Sequence, residues 1–326
     1  MHLFDHLTPE VRVALGGILG ILVVSSVLVF AVCKFRPQRD HSELVKRTRT
    51  WWIIAGLFGI SLALPEWGFL CFLGFVSFLA LKEYLSLIPT RRADRRVLFW
   101  AYLSIPLQFY WVHLSWYGMF IIFIPVYMFL LIPTRMVFTG RTEGFLRSAG
   151  VVHWGLMTTV FSLSHAAYLL VLKPVETGRA APAWPTVESA LQPGPGLLIF
   201  LVVLTQLGDV AQFVWGKSLG RHKIAPNVSP GKTVEGFLGG VATTVVLAWL
   251  IGPRLTLMDA KWSLLAGLLI GVAGFLGDLS ISAIKRDLGV KDSGSILPGH
   301  GGILDRADSL TYTAPLFFHF VYHLYF

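Results

Sequence analysis

The sequence predicts an all-α fold: a polytopic integral membrane helical bundle of about ten transmembrane helices. Hydrophobic residues make up 55% of the 326 residues, charged residues only 14%, and the mean hydropathy is +0.67. A soluble domain of this length carries far more charge. The apolar residues are also grouped into runs, most of them close to the roughly 20 residues that a bilayer-crossing helix needs.

The apolar runs define the predicted helices in order. The segment 1–10 carries no Lys or Arg, so the first run is predicted to be a retained helix and not a cleaved signal peptide. The second run is short for a full span, and we expect a tilted helix or a hairpin with its neighbour. The ten runs are 11–33, 51–64, 66–88, 97–115, 116–133, 151–173, 196–215, 236–253, 262–281 and 310–326.

The basic residues predict the orientation of the bundle. Positive charge concentrates in cytoplasmic loops of membrane proteins, and the loops here divide accordingly. With the N-terminus outside, the cytoplasmic face receives most of the 27 Lys and Arg residues, in 34–50, 91–96, 135–147, 217–232 and 285–306. These loops are therefore predicted to face the cytoplasm, and the membrane is expected to be the bacterial inner (cytoplasmic) membrane. The net charge of +9 is assigned to these loops and to anionic membrane lipid, not to nucleic acid.

The segment 276–308 is the richest in chemistry. It holds five acids, four Lys or Arg, one His and six Gly between apolar helices. If the preceding helix continues to about residue 288, one face of it carries Asp278 deepest, followed by Ser282, Lys285 and Arg286. Acids can hold a divalent cation, and bases and glycine amides can hold phosphate. The candidates that follow along the segment are Lys291, Asp292, His300, Gly301, Gly302, Asp305 and Asp308.

Another cytoplasmic loop, 216–235, comes first in the chain and supplies further candidates. Asp209, near the end of its helix, is costly in a membrane unless it is paired, metal-bound or facing water. Ser229, Lys232, Thr233 and Glu235 surround the start of the next helix, whose N-terminus is a natural seat for phosphate. Plain helix capping is the alternative explanation for this group.

The two loops share a short sequence pattern. Residues 207–220 align without gaps on residues 276–289, with Leu-Gly-Asp at the start of both. We hypothesise a parallel structural repeat that brings Asp209 and Asp278 to one site.

The motifs in these loops resemble those of the CDP-diacylglycerol synthase family, the phosphatidate cytidylyltransferases. The resemblance covers roughly the last 130 residues and departs from the family pattern at Gly208 and Gly231. Asp209, Ser229-Pro230, Lys232-Thr233 and Glu235-Gly236 carry it in the first loop. In the second loop it is carried by Ser282, Lys285, Arg286, Lys291, Asp292, Gly294, Leu297, Pro298, His300, Gly301, Gly302, Asp305, Arg306 and Asp308.

The resemblance implies that CTP and phosphatidate of the inner leaflet react to CDP-diacylglycerol and pyrophosphate, for phospholipid biosynthesis. It implies Mg²⁺ with Asp278 and Asp305 as ligands, and it allows a second, monovalent cation and a homodimer. Asp278, Lys285, Arg286, His300 and Asp305 are then the expected catalytic residues, and the other candidates would bind substrate. Residues 196–326 would form the catalytic membrane region, and residues 1–195 would be membrane helices without an assigned role.

Two other functions remain open from the sequence. A CTP-dependent polyprenol or phytol kinase would use the γ-phosphate of the same nucleotide. A cation-coupled transporter would use Asp209 and Asp278 as intramembrane ion sites, which explains the acids but not the glycine-rich segment.

Overall fold

A computed structural model of the chain describes residues 7–35, 40–88, 95–173, 193–297, 299 and 301–326. His300 lies outside the described residues. The regular elements are helices. They are α1 (Pro9–Phe35), α2 (Ser42–Ala63), α3 (Glu66–Leu87), α4 (Arg95–His113), α5 (Tyr117–Ile122), α6 (Phe129–Val137), α7 (Phe145–Gly155), α8 (Ser162–Val171), α9 (Pro193–Leu219), α10 (Val234–Leu255), α11 (Ala260–Asp287), α12 (Ile303–Ala307) and α13 (Leu310–Tyr325). The π-helical segments Phe123–Met128 and Leu156–Phe161 join α5 to α6 and α7 to α8.

The predicted class, a polytopic helical membrane bundle, is confirmed. Each predicted apolar run lies in a helix, and seven helical stretches of the described residues are long and apolar enough to cross a membrane. The short run 51–64 is the apolar part of α2, which begins earlier, at Ser42. The spanning stretches are α1, α3, α5 to α6, α7 to α8, α9, α10 and α11.

Two packed groups of helices meet through the last helix. Consecutive helices α9, α10 and α11 form one group, and α13 packs between α11 and α8. Helix α3 packs against α4, α8 and the short α12. Fully buried aromatic residues such as Phe120, Phe200, Phe317 and Phe318 fill the centre. The short helix α12 thus packs on α3, and its Asp305 pairs with Lys285 of α11.

Three of the basic segments, 34–50, 217–232 and 285–306, meet at one end of the bundle. Arg286 Nε donates to the Val228 carbonyl at 3.1 Å, which joins the two charged loops. A Cβ at Gly299 would lie 3.3 Å from the Arg47 backbone nitrogen, so the start of α2 lies at this end too. The pairing of Glu66 with His113, at 3.6 Å, marks the opposite end. The shared end is what the positive-charge pattern predicts; its assignment to the cytoplasm remains a prediction.

Close packing of α10 on α11 gives a test of the fold. A Cβ at Gly267 would lie 2.5 Å from Ala248 Cβ and 2.9 Å from Val245 Cα, so α10 and α11 have no room for a side chain there. We predict that Gly267→Val lowers stability by about 1–3 kcal/mol. Thermal unfolding in detergent measures it. Gly59→Val, where a Cβ meets no atom within 4 Å, is the matched control, and equal losses in both variants would contradict the packing.

Candidate active site

A cleft opens at the charged end of the bundle, between α9, α10, α11 and the segment that joins α9 to α10. It encloses ≈ 420 Å³. Its charged lining consists of Asp209, Lys217, Lys223, Lys232 and Asp278, and Phe213, Phe237 and Phe275 supply aromatic surface. Asp209 and Asp278 therefore share one cleft, as the repeated Leu-Gly-Asp pattern predicts.

Helix α11 carries its polar face to the end of the bundle, as expected. It runs unbroken to Asp287, and Ser282 Oγ donates to Asp278 Oδ1 at 3.1 Å. Gly289, at φ 70°, terminates it: the Gly289 and Val290 amides donate to the Arg286 and Lys285 carbonyls. Only glycine adopts this backbone conformation at little cost.

The predicted phosphate ligand Arg286 has structural partners. Its guanidinium donates to the carbonyls of Val228, at 3.1 Å, and Val290, at 3.2 Å. The side chain therefore fastens the first charged loop to the end of α11.

Two contacts hold Lys232 in the cleft. Its Nζ lies 2.6 Å from Asp278 Oδ2 and 4.5 Å from the centroid of the Phe275 ring. Both contacts are made to α11, so they hold the ammonium group of the loop residue Lys232 against that helix. The pair is partly exposed to the cleft, so an arriving anion can reach Lys232.

The residues around Lys232 divide between cleft and scaffold. Ser229 lines the cleft. Thr233 is the N-cap of α10 and accepts from the Gly236 amide at 3.1 Å, as the capping alternative predicts. Glu235 accepts from the Arg221 amide at 2.9 Å and from His222 Nδ1 at 2.6 Å. Thr233 and Glu235 thus shape the loop that presents Lys232.

Asp305 has both carboxylate oxygens engaged within the protein. Lys285 Nζ lies 2.7 Å from Oδ1, and the amides of Ser293 and Gly302 donate to Oδ2 at 2.8 and 2.9 Å. Burial alone would raise the pKa of Asp305, but these hydrogen bonds outweigh burial and lower the pKa below its usual value. With a side chain 4% exposed, Asp305 fixes Lys285 and is not paired with Asp278, contrary to the expected metal site.

The carboxylates that approach Asp278 are those of Asp209 and Asp308. Ser309 connects the two: its Oγ donates to Asp209 Oδ1 at 3.0 Å and its amide to Asp308 Oδ1 at 2.8 Å. Burial, and then the Asp278 and Asp209 carboxylates, raise the pKa of Asp308 well above its usual value. Such mutual repulsion favours binding of a cation. Among the described residues, however, no three acidic, His or Cys side chains already converge as a metal site.

The remaining candidates lie on the segment between α11 and α12. Lys291 and Asp292 are exposed. Gly301 accepts a hydrogen bond from the Leu297 amide at 2.9 Å, and Gly302 is the N-cap of α12. These glycines form a turn that leads into α12.

Sequence reasoning missed Glu83, in α3. Its side chain is buried at 5% exposure. It accepts from the Ile303 and Leu304 amides, both at 2.9 Å, and from Ser293 Oγ at 3.2 Å. An acid inside the apolar run 66–88 is itself a signal of function. Its partners, being backbone amides 220 and 221 residues away, leave no sequence signature.

Comparison with known proteins adds the family. Residues 45–324 match the model of the cytidylyltransferase family. Uncharacterized protein YnbB of Escherichia coli (strain K12) is 44% identical over 308 residues, which cover 94% of this chain and 97% of that protein.

Two shorter matches carry a functional name. The phosphatidate cytidylyltransferase of Synechocystis sp. is 45% identical over 133 residues, 39% of this chain and 44% of that protein. The phosphatidate cytidylyltransferase of Staphylococcus saprophyticus is 42% identical over 120 residues, 36% of this chain and 46% of that protein. The match to these enzymes therefore spans less than half of their length.

The family match is much longer than these two. It begins in α2 and ends in α13, so it takes in Glu83 as well as the charged C-terminal segment. On that match, this helical integral membrane protein belongs to the cytidylyltransferase family.

Proposed function

We propose that the protein transfers the cytidylyl group of CTP to phosphatidate, giving CDP-diacylglycerol and pyrophosphate. The observation that carries the proposal is the cleft itself, where Lys232 from one loop meets Asp278 from the other at the charged end of a membrane bundle. The names of the two shorter-matching relatives support phosphatidate as the lipid. Family membership supports CTP as the nucleotide.

The cleft is suited to a triphosphate. Lys217, Lys223 and Lys232 line it, and each can balance phosphate charge. Lys232 is held by Asp278 in the structure, at 2.6 Å, and we expect its ammonium group to turn from that carboxylate to a phosphate oxygen when CTP binds. Lys285 remains paired with Asp305 at 2.7 Å and does not line the cleft.

We propose that a magnesium ion binds at the Asp209 and Asp278 carboxylates of the cleft, with Asp308 close behind them, once these side chains turn toward one another; they do not converge on a metal site as they stand. Asp278, Asp209 and Asp308 are the residues that would hold it, because their carboxylates repel one another and Mg²⁺ prefers oxygen ligands. Bound there, the ion would supply positive charge that neutralises the triphosphate. Asp305, expected at first to be a ligand, is proposed instead to position Lys285. A second, monovalent cation remains a proposal from the resemblance alone.

The lipid's own phosphate is the nucleophile in this proposal. A phosphomonoester is largely dianionic at pH 7, so it can attack the α-phosphorus of CTP without a dedicated general base. Catalysis then consists of holding two polyanions together and neutralising their charge. The new P–O bond forms at the α-phosphorus as the bond to the pyrophosphate oxygen breaks.

The membrane side of the cleft suits the acyl chains. Phe213 lines the cleft and is 65% exposed, and Val210 and Val214 extend the same apolar surface of α9. We propose that phosphatidate of the inner leaflet enters along α9 with its headgroup toward Lys217. We also propose that the protein lies in the bacterial inner membrane and forms a homodimer.

The position of the transferred phosphate tests the reaction directly. Purified protein is given Mg²⁺, phosphatidate and CTP labelled at the α- or the γ-phosphate. We expect lipid-bound label from the α position and labelled pyrophosphate from the γ position. Lipid labelled only from the γ position would show a CTP-dependent lipid kinase instead, and absence of CTP turnover together with cation transport in vesicles would favour a transporter.

We predict that Asp278→Asn reduces kcat/KM for CTP by about 10²-fold or more, because it removes charge at the point where cations and phosphates meet. The Mg²⁺ concentration needed for half-maximal rate should rise as well. Asp259→Asn is the matched control at the other end of α11: Asp259 caps the helix by accepting from the Trp262 amide at 2.8 Å, and Asn caps equally well. Full activity of Asp278→Asn would contradict the site.

A second substitution tests the cation of the cleft. Lys232→Ala should lower kcat/KM for CTP by about 30-fold or more, the effect of losing one phosphate contact of about 2 kcal/mol. Lys261→Ala, in the first turn of α11 at the far end of the bundle, is the control and should leave kcat/KM unchanged. Equal effects of the two lysines on CTP turnover would exclude a local role for Lys232.

A further inference from the structure

We infer that Glu83 is a positioning residue for the site, through which the N-terminal half of the chain sets the geometry of the charged C-terminal segment. The inference rests on the proposed function only where it concerns turnover. Its structural part is that Glu83 holds both ends of residues 293–302, named here the signature loop, and the start of α12.

Three hydrogen-bond donors bind the Glu83 carboxylate. Its carboxylate accepts from the first two amides of α12, those of Ile303 and Leu304, at 2.9 Å each. It also accepts from Ser293 Oγ at 3.2 Å, at the other end of the signature loop. The carboxylate therefore caps α12 and closes the loop in one interaction.

A second carboxylate, that of Asp305, binds the same two ends of the signature loop. Asp305 accepts from the amides of Ser293, at 2.8 Å, and Gly302, at 2.9 Å. Ser293 donates its hydroxyl to Glu83 and its amide to Asp305. A shift of either carboxylate would thus be passed to the other through Ser293.

The Glu83 carboxylate lies in close contact with two glycines. A Cβ at Gly294 would lie 2.8 Å from Glu83 Oε1, and one at Gly302 would collide with Glu83 Oε2. Ala80 of α3 packs with Ala307 of α12 in a small buried apolar cluster. Backbone amides, glycines and apolar contacts leave α12 little freedom to move relative to α3.

Helix α12 connects Glu83 to the acids of the candidate active site. Asp305, within this helix, holds Lys285 at 2.7 Å, and Asp308, just after it, lies beside Ser309 and the carboxylates of the cleft. Loss of the Glu83 charge would weaken the hold on α12 and so displace both acids. Glu83 itself is assigned no contact with substrate.

Hydrogen–deuterium exchange of the purified full-length protein, without substrate, tests the structural part. We expect Glu83→Gln to raise exchange in peptides covering 293–305 about tenfold or more, because hydrogen bonds to a charged acceptor are lost. Exchange within α10 should stay unchanged. Glu66→Gln, at the opposite end of α3, is the matched control and should leave 293–305 protected. Unchanged exchange in 293–305, or an equal rise throughout the chain, would overturn the inference.

Ser293→Ala keeps the test available if Glu83→Gln fails to fold. It removes one of the three donors and should raise exchange in the same peptides to a smaller extent. Unchanged exchange in this variant, with Glu83→Gln unfolded, would leave Glu83 a residue of the general fold and overturn the positioning role.

A double-mutant cycle tests the link to turnover. Glu83→Gln and Ser293→Ala should each lower kcat/KM for CTP, and together they should cost clearly less than the product of the two, since they break one shared interaction. Glu83→Gln with Lys232→Ala should multiply. Multiplicative losses in both pairs would overturn the positioning role. Since exchange is measured without CTP, failure of the proposed reaction would leave the structural result standing.

Discussion

Charge pairing at one end of an apolar bundle is the constraint on which the rest of the site depends. Ionised side chains at the end of a bilayer span are costly unless they have partners. Lys232 finds Asp278 and Lys285 finds Asp305, so each loop supplies cations or acids that another element satisfies. The same pairs hold the cleft in a form that a polyanion and a divalent cation can enter by exchanging partners.

Hydropathy and helical periodicity predicted most of the fold, because each apolar run became part of a helix. They also predicted that Asp278, Ser282 and Lys285 share a face, and the repeated Leu-Gly-Asp pattern predicted that Asp209 joins Asp278. The segment after α11 was predicted less well, because the resemblance placed Asp305 with Asp278 at a metal ion. A separate five-residue helix, α12, carries Asp305 and turns that acid to Lys285, while Asp308, just after α12, interacts electrostatically with Asp278 and Asp209.

Other roles depend on backbone contacts that sequence patterns do not encode. Thr233 and Glu235 match a substrate-binding motif, yet Thr233 accepts from an amide in the first turn of α10 and Glu235 from an amide of the loop before it. Glu83 is bound by amides far along the chain. It joins the N-terminal helices, which had no assigned role, to the segment that carries the family motif. The family match across both halves agrees with one working unit of that extent.

We propose that one magnesium-bound CTP occupies the cleft between the loop before α10 and α11, the helix that leads into the signature loop. Hydrogen–deuterium exchange with and without Mg²⁺ and CTP, in the absence of lipid, tests it most directly. We expect the nucleotide to slow exchange in 220–233 and in 293–302 together, with the same dependence on CTP concentration. Protection of one segment alone, or of neither at saturating CTP, would contradict it.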